Sequence, residues 1–544
     1  MTACTLLVPS AKIVPEPLQT LGKIPAVIYP VSQRIVFDYL YEKYAGICGS
    51  IKVMCCENAG EVIKALAPYG DRVTVETLPE LRDLGWTVYK SLEGVNGTAI
   101  INFADTILAD EVSGGGEDCF WYSEDYLSEA WTFFTMSEGE NGLFTSITDK
   151  KPGTSAAKGR LFVGVFRITR PDVLRTCLER AFVEPDASVS TFYQALRDYN
   201  ASCPMRAVKA SSWFDIGHAD KYFSSRLEVS AREFNHIAMD RTRGILTKTS
   251  ENREKFIQEI KWYLKLPSDL EYTHPRIFSF STHYTRPYAS MEYYAYHTVH
   301  ELFLYGEMGF RQWKDIFSRI RSVIDDFKRY TARGDDIRSS LEDMYLAKTL
   351  QRIDALRKNE NFSAFFTKNI TVNGQRYLPL DGICDALRKC VPEVLYGIDE
   401  FTIIHGDLCF TNIMIDPNLQ FIKLIDPRGS FGSYDIYGDP DYDLAKILHS
   451  IDGKYDFIIK DMFSAEYDLA NASVNYEVHG RARDFDMLEL FKEVFSPDMK
   501  RVKLIEALLF LSMIPLHGES LRHQAAMLGT GIELLACTTD IRSD

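Results

Sequence analysis

The segment 401–432, FTIIHGDLCFTNIMIDPNLQFIKLIDPRGSFG, constrains the chain more than any other. It predicts strand, loop, strand, turn, strand. An apolar strand over 401–404 runs into His405, Gly406 and Asp407, and after four intervening residues comes Asn412. A short strand follows over 413–415, Pro417 and Asn418 have the chemistry of a turn, and a second apolar strand over 421–425 ends on Asp426. Phosphoryl transfer from a nucleotide needs a carboxylate to orient or accept the proton of the attacking hydroxyl. It also needs oxygen ligands for Mg²⁺. Asp407 suits the first task, Asn412 and Asp426 the second. As local structure alone, the same residues are turn and cap formers, and a lone His-Gly-Asp carries little weight; the full spacing carries the reading.

The D-x-x-x-x-N spacing followed by a strand-terminal Asp resembles the catalytic loop and metal-binding Asp of protein kinases. With His405-Gly406-Asp407 as first motif and Ile425-Asp426-Pro427-Arg428 as second, it resembles the aminoglycoside phosphotransferase and choline kinase family. The resemblance implies a bilobal, protein-kinase-like α+β domain using MgATP, with an alcohol, amino alcohol or sugar as acceptor. It also implies a strand Lys that grips the nucleotide phosphates and pairs with a helical Glu. Lys248, in Gly-Ile-Leu-Thr-Lys-Thr, is the candidate, with Glu259 as partner and Glu254 as the alternative. Met291-Glu292-Tyr293-Tyr294 resembles the adenine hinge and reads equally well as core. Asp443, at a helix start, is expected to brace the catalytic loop and cap the helix together. His405 is expected to brace the loop through a backbone hydrogen bond and to transfer no proton.

At 544 residues the chain is too long for one core, so two or three domains are expected. Hydrophobic residues are 46% and charged residues 25%, as in ordinary globular proteins. The net charge of −15 argues against nonspecific binding to nucleic acid or anionic membrane. The apolar run 507–516 is too short to span a bilayer, and no basic region precedes the first apolar residues, so no signal peptide is expected. The 11 cysteines lack metal-type spacing and fit a reducing cytoplasm.

Before residue 229 strands and helices alternate, which predicts an α/β domain with a mostly parallel, Rossmann-like sheet. The expected strands are 5–8, 51–56, 72–76, 98–104, 119–122, 131–136, 161–168 and 205–210. The expected helices are 32–44, 59–67, 86–92, 171–181 and 189–199. Asp105 ends the strand in Ile-Ile-Asn-Phe-Ala-Asp, and Asp215 lies in WFDIGHADKY, 213–222. Two carboxylates at strand ends suit the Mg²⁺ of a nucleotidyl transfer. Taken singly, Asp105 reads as a helix cap and Asp215 as a turn residue.

The strand-end Asp, the W-x-D-x-G-x-x-x-x-Y segment and the opening LLVPSAKIVPEPLQTLGKIPAVIYPVSQRIVFDYL resemble the sugar-1-phosphate nucleotidyltransferases. The family's Gly-rich loop with an Arg is here Pro9-Ser10-Ala11-Lys12, and its Lys is replaced by Ala26. Lys12 or Lys23 is left to neutralise the nucleotide. Lys158 reads as a loop charge.

The expected domains are 1–228 and 229–544, the second with an N-lobe over about 229–297 and a C-lobe over about 298–544. Around 233–294 an antiparallel sheet with one helix is expected, and beyond it mainly helices. The leading expectation is a bifunctional enzyme. The second half phosphorylates a small acceptor with MgATP, and the first half activates that phosphate with a second NTP, CTP or UTP in type, for surface polysaccharide synthesis. The alternatives are a kinase carrying a non-catalytic nucleotide or sugar-phosphate sensor and, from another class, a scaffold of two pseudoenzymes. Association into a homo-oligomer is left open.

Overall fold

Runs of four to seven apolar residues separated by amphipathic segments are the signature of strands buried on both faces, and β1 (Cys4–Ser10) is buried at every position. The computed structural model describes residues 4–31, 34–126, 130–137, 142–149, 158–218, 221–222, 225, 237–240 and 242–543. The chain divides into two units, Met1–Phe234 and Asn235–Asp544. The expected boundary between 228 and 229 falls outside the described residues.

In the first unit β1 sits between β2 (Ser50–Cys55) and β4 (Thr98–Asn102), parallel to both, with β3 (Val73–Thr77) parallel at the edge. Helices α1 (Val36–Tyr44), α2 (Ala59–Leu66) and α3 (Leu84–Ser91) accompany these strands. After β4 come β5 (Thr106–Leu108), β6 (Cys119–Tyr126), β7 (Thr132–Met136), β8 (Phe144–Asp149) and β9 (Lys158–Ile168). The expectation of a mostly parallel sheet holds for β4, β1, β2 and β3, one side of the sheet. β9 runs antiparallel to β4, β6 and β7 in a sheet of nine strands. No helix separates β5 from β9 among the described residues, and a parallel return needs a long crossover. Helices α4 (Pro171–Val183) and α5 (Thr191–Ser202) then pack Leu174, Leu178, Phe192 and Tyr199 onto Phe120, Phe162 and Phe166.

Two expectations near the N-terminus need correction. Pro9 and Ser10 belong to β1, so the expected phosphate loop begins only at Ala11. The helix placed at 32–44 starts at Val36, because Pro30–Val31 pairs antiparallel with Arg34–Ile35 and Asp38 accepts the Ile35 N–H (2.8 Å); residues 32–33 lie outside the described residues.

The second unit opens with a four-stranded antiparallel sheet: β12 (Ile237–Asp240), β13 (Ile245–Lys248), β14 (Ile277–Ser281) and β15 (Tyr288–Glu292), in the order 12-13-15-14. Helix α6 (Arg253–Lys265) lies between β13 and β14 in sequence; Asn252 caps it by accepting the Lys255 N–H. Helices dominate thereafter. Helix α7 (Phe310–Phe327) buries Trp313, Ile316, Ile320, Val323, Ile324 and Phe327, the stripe its spacing predicts.

The segment 341–356, whose apolar spacing predicts a single helix, is instead a helix, Ile337–Leu341, a π-helical turn, Glu342–Ala347, and α8 (Lys348–Arg357). Such turns keep the helical direction while shifting which side chains face inward. The described residues include no helix long and apolar enough to cross a membrane.

Candidate active sites

In the second unit, strand β13 ends on Lys248 and α6 presents Glu259 from its buried face. The Lys248 Nζ lies 2.9 and 3.1 Å from the two Glu259 oxygens and 2.6 Å from Asp426 Oδ1. Glu254 is exposed in the first turn of α6 and takes no part, since five residues place it on another face of the helix. The same helix is held to the strand carrying the His-Gly-Asp motif. Trp262 Nε1 donates to the Ile404 carbonyl (2.7 Å), and Tyr263 OH accepts the Asp426 N–H (3.1 Å).

Burial works against the Lys248 ammonium, yet Asp426 and Glu259 together raise it above its ordinary value. Burial and the neighbouring Asp426 push the Glu259 carboxyl up to about 7. One cation thus serves two carboxylates. Asp426 itself is half exposed and sits at φ +57°, a left-handed conformation just beyond β18 that is uncommon for a residue other than glycine.

The motif 405–412 leaves β16 (Phe401–Ile403), and Asn412 precedes the hairpin of β17 (Ile413–Ile415) and β18 (Ile422–Leu424). Gly406 sits at φ +76° with Arg428 Cβ 2.9 Å from where its own Cβ would stand, so no side chain fits there. His405 is fully buried, accepts the Asp407 N–H at Nδ1 (3.3 Å) and donates from Nε2 to the Ile425 carbonyl (3.0 Å). It thereby ties the Asp407 loop to the strand that delivers Asp426. The Asp443 carboxylate accepts the His405 and Gly406 N–H groups (2.7 and 2.8 Å). Capping of that helix, α9 (Pro440–Ile451), falls to Asp439 and not to Asp443, because Pro440 occupies the first helical position. Asn412 Nδ2 donates to the Asp407 carbonyl and carboxylate (2.9 and 3.3 Å).

A lysine beside this loop escaped the sequence reading. Lys446, one turn beyond Asp443 on α9, places Nζ 2.9 Å from Asp407 Oδ1. Burial alone would raise the Asp407 carboxyl, but the Lys446 ammonium holds it well below the usual carboxylate range. The signal was present, since a brace at Asp443 puts its i+3 neighbour beside the same loop.

His405 also makes a pH prediction. Burial depresses its imidazole from 6.5 to about 4, so the native state holds it neutral. The associated stability is complete above pH 6.5 and is lost as pH falls toward 4, amounting to about 3 kcal/mol at 1.36 kcal/mol per pH unit. Denaturant titrations across this window should show a shallower slope for His405→Gln than for the native chain.

In the first unit β11 (Trp213–Asp215), which follows β10 (Arg206–Lys209), pairs antiparallel with β5 and sets Asp215 opposite Thr106. Asp105 therefore lies beside Asp215, and its carbonyl accepts the Ile216 N–H (2.8 Å). A Cβ on Gly217 would stand 2.4 Å from Asp105 Oδ2, so this position admits only glycine without displacing that carboxylate. Asp215 is buried. Its Oδ2 accepts from Trp131 Nε1 and pairs with His218 Nδ1 (both 2.7 Å), and its Oδ1 accepts the Gly217 N–H (2.9 Å). Trp131 was absent from the sequence reading because nothing local links it to a residue 84 positions away.

Lys12 and Lys23 are both exposed. Between them the chain closes on itself: Val14 N–H donates to the Ile24 carbonyl (2.9 Å), and Val14, Leu18, Leu21 and Ile24 are buried. Lys158 is exposed at the first position of β9, its Nζ 5.5 Å from the Tyr126 ring centroid.

Both sites suit a hard divalent cation by donor chemistry. The amide and carboxylate oxygens of Asn412 and Asp426 form one set, and the paired carboxylates of Asp105 and Asp215 the other.

No family model and no curated protein matches the chain. Solved structures do. The CTP:phosphocholine cytidylyltransferase from Streptococcus pneumoniae is similar at 15% identity and a TM-score of 0.34, over 42% of this chain and 99% of that one. HddC from Yersinia pseudotuberculosis is similar at 14% and 0.32, over 42% and 100%. A CMP:2-keto-3-deoxy-manno-octonic acid synthetase complexed with CTP is similar at 11% and 0.31, over 42% and 100%.

Proposed function

We propose that the chain is a bifunctional enzyme: its second unit phosphorylates a small alcohol, amino alcohol or sugar with MgATP, and its first unit couples the resulting phosphate to a second NTP with release of pyrophosphate. The observation that carries the kinase part is the joining of Lys248, Glu259 and Asp426 by ion pairs of 2.6–3.1 Å, on elements also bonded to the Asp407 loop. In this reading Lys248 holds the nucleotide phosphates, and Glu259 fixes its position. Asn412 and Asp426, and in the other unit Asp105 and Asp215, are the Mg²⁺ ligands; the ion's contribution is to neutralise charge on the phosphate oxygens.

Asp407, kept ionised by Lys446, is a weak proton acceptor. It suits a loose transition state, in which the acceptor hydroxyl needs to be aimed at phosphorus and gives up its proton late. Lys12 or Lys23 neutralises the NTP in the first unit. The product is a nucleotide-activated small molecule of the type consumed in surface polysaccharide synthesis, made in the cytoplasm.

A second reading keeps the kinase and makes the first unit a non-catalytic sensor of nucleotides or sugar phosphates. The apolar closure of residues 14–24, where glycines would leave backbone N–H groups free for phosphates, favours it.

³¹P NMR of the purified chain with Mg²⁺, ATP and CTP, against pooled amino alcohols and sugars with UTP and GTP in parallel, separates the two. A phosphomonoester followed by a diphosphodiester and pyrophosphate is expected. A phosphomonoester that accumulates with every NTP selects the sensor reading, and no phosphomonoester in any pool counts against the kinase. Lys248→Met should weaken binding of a fluorescent ATP analogue to the second unit by about tenfold or more, as expected for loss of a charged phosphate contact.

A further inference from the structure

Near the end of the second unit a short turn gathers two imidazoles and two carboxylates. Helix α10 (Met499–Met513) runs into a 3₁₀ turn, Ile514–His517, and α11 (Leu521–Ala536) follows. Hydrogen bonds fix the turn. The Ser520 N–H donates to the His517 carbonyl (3.1 Å), and Ser520 Oγ caps α11 by accepting the His523 N–H (3.2 Å). Gln524, which is buried, donates from Nε2 to the Ile514 carbonyl (2.9 Å).

His517, Glu519 and His523 are thereby brought together. One ligand atom of each can be chosen so that all three lie within 4.8 Å of one another. His517 Nδ1 and Glu519 Oε1 are 3.2 Å apart. Two ligands of a tetrahedral zinc site, each about 2.0–2.1 Å from the ion, stand roughly 3.3 Å apart. His523 Nε2 faces Asp461 Oδ1 (2.8 Å). With Nε2 donating to that carboxylate, Nδ1 carries the lone pair, and a carboxylate behind an imidazole in this way orients it as a ligand. Asp461 lies outside the ligand set, and Arg522 Nη1 also approaches it (3.6 Å). The Glu519 side chain is 65% exposed, against 20% for His517 and 12% for His523, which leaves a way in from solvent at Glu519.

The donor chemistry selects the ion. Two neutral imidazoles and one carboxylate suit Zn²⁺ and its neighbours, whereas Mg²⁺ and Ca²⁺ prefer oxygen ligands. The first turn of α11 is the positive end of its dipole, so a cation there needs an anionic ligand, and Glu519 provides it.

We infer that His517, Glu519 and His523 bind a divalent transition-metal ion of the zinc class, with Asp461 orienting His523. Three protein ligands leave the fourth tetrahedral position to water. The site shares no residue with either candidate active site, and the inference does not depend on the kinase reading. Bound there, the ion clasps the turn that joins α10 to α11.

The test uses the full chain, stripped with EDTA and returned to excess Mg²⁺ with a non-thiol reductant. Oxygen-rich sites are then filled and the cysteines stay reduced. Zn²⁺ alone is titrated by calorimetry. A single tight site is expected, and His523→Asn or Glu519→Ala should each weaken it about 100-fold or more, since even groups that only orient a ligand are worth about 10–100-fold. Co²⁺ in place of Zn²⁺ should give the visible bands of a four-coordinate nitrogen and oxygen site, without a thiolate charge-transfer band in the near ultraviolet. Glu519→Ala alters a mostly exposed side chain, so in EDTA its thermal midpoint should equal the native one, and Zn²⁺ should raise only the native midpoint. Absence of Zn²⁺ binding in the native chain, undiminished binding in either variant, or a thiolate band that accounts for all the bound Co²⁺ overturns the inference. An equal rise of the midpoint with Zn²⁺ in the native chain and in Glu519→Ala overturns it as well.

Discussion

Asp407→Asn should lower phosphoryl transfer to the acceptor by about 10³-fold, the order expected for loss of a positioned carboxylate in a proton transfer, and should leave nucleotidyl transfer to a pre-phosphorylated acceptor unchanged. The substitution is nearly isosteric, and the loop remains held by His405, by Asp443 through the His405 and Gly406 N–H groups, and by Asn412 through the residue 407 carbonyl. It does strip Lys446 of its carboxylate. Some stability of the second unit should therefore be lost, and Asp407→Asn combined with Lys446→Met should recover it without restoring activity, because a neutral pair replaces an orphaned buried cation. Separate assays of the two half-reactions, with thermal unfolding as control, check all three statements. Loss of both activities in a folded variant would exclude two independent sites.

The second large effect concerns the first unit. Asp105→Ala should depress nucleotidyl transfer by at least about 10²-fold while phosphorylation continues, so that the phosphomonoester accumulates in ³¹P spectra. Asp215 serves folding as well as the site. Asp215→Ala would also leave Trp131 Nε1, His218 Nδ1 and the Gly217 N–H without their acceptor, and each such loss costs about 1–3 kcal/mol. A drop in activity there would mix chemistry with folding. If the native chain shows no nucleotidyl transfer with any NTP, neither substitution has anything to abolish, and the sensor reading stands.

Several features were legible because they are local. The turn at Pro417-Asn418, the stripe on α7 and the Asn412 spacing each depend on neighbours within a few residues, where periodicity and turn chemistry act directly. Strand and helix alternation before residue 229 likewise showed itself as a pattern. The antiparallel run of β9 did not, since strand direction depends on how the intervening chain returns. The break at Glu342–Ala347 was invisible for a similar reason: a π-turn keeps the apolar repeat nearly intact and shifts only its phase.

The sequence by itself determined which oxygen-bearing side chains lie at or just beside strands and how far apart they lie along the chain: Asp105, Asp215, Asp407, Asn412 and Asp426. Only the tertiary structure decided their partners. It chose Glu259 over Glu254 by helix face, set Lys446 against Asp407, engaged Asp215 with Trp131, and joined Arg428 to the buried Tyr442 phenol. The physical reason is that charge acts through space within a few ångströms, whereas sequence patterns report burial along a helix or strand. A lysine on a helix looks the same in sequence whether its ammonium meets water or a buried carboxylate.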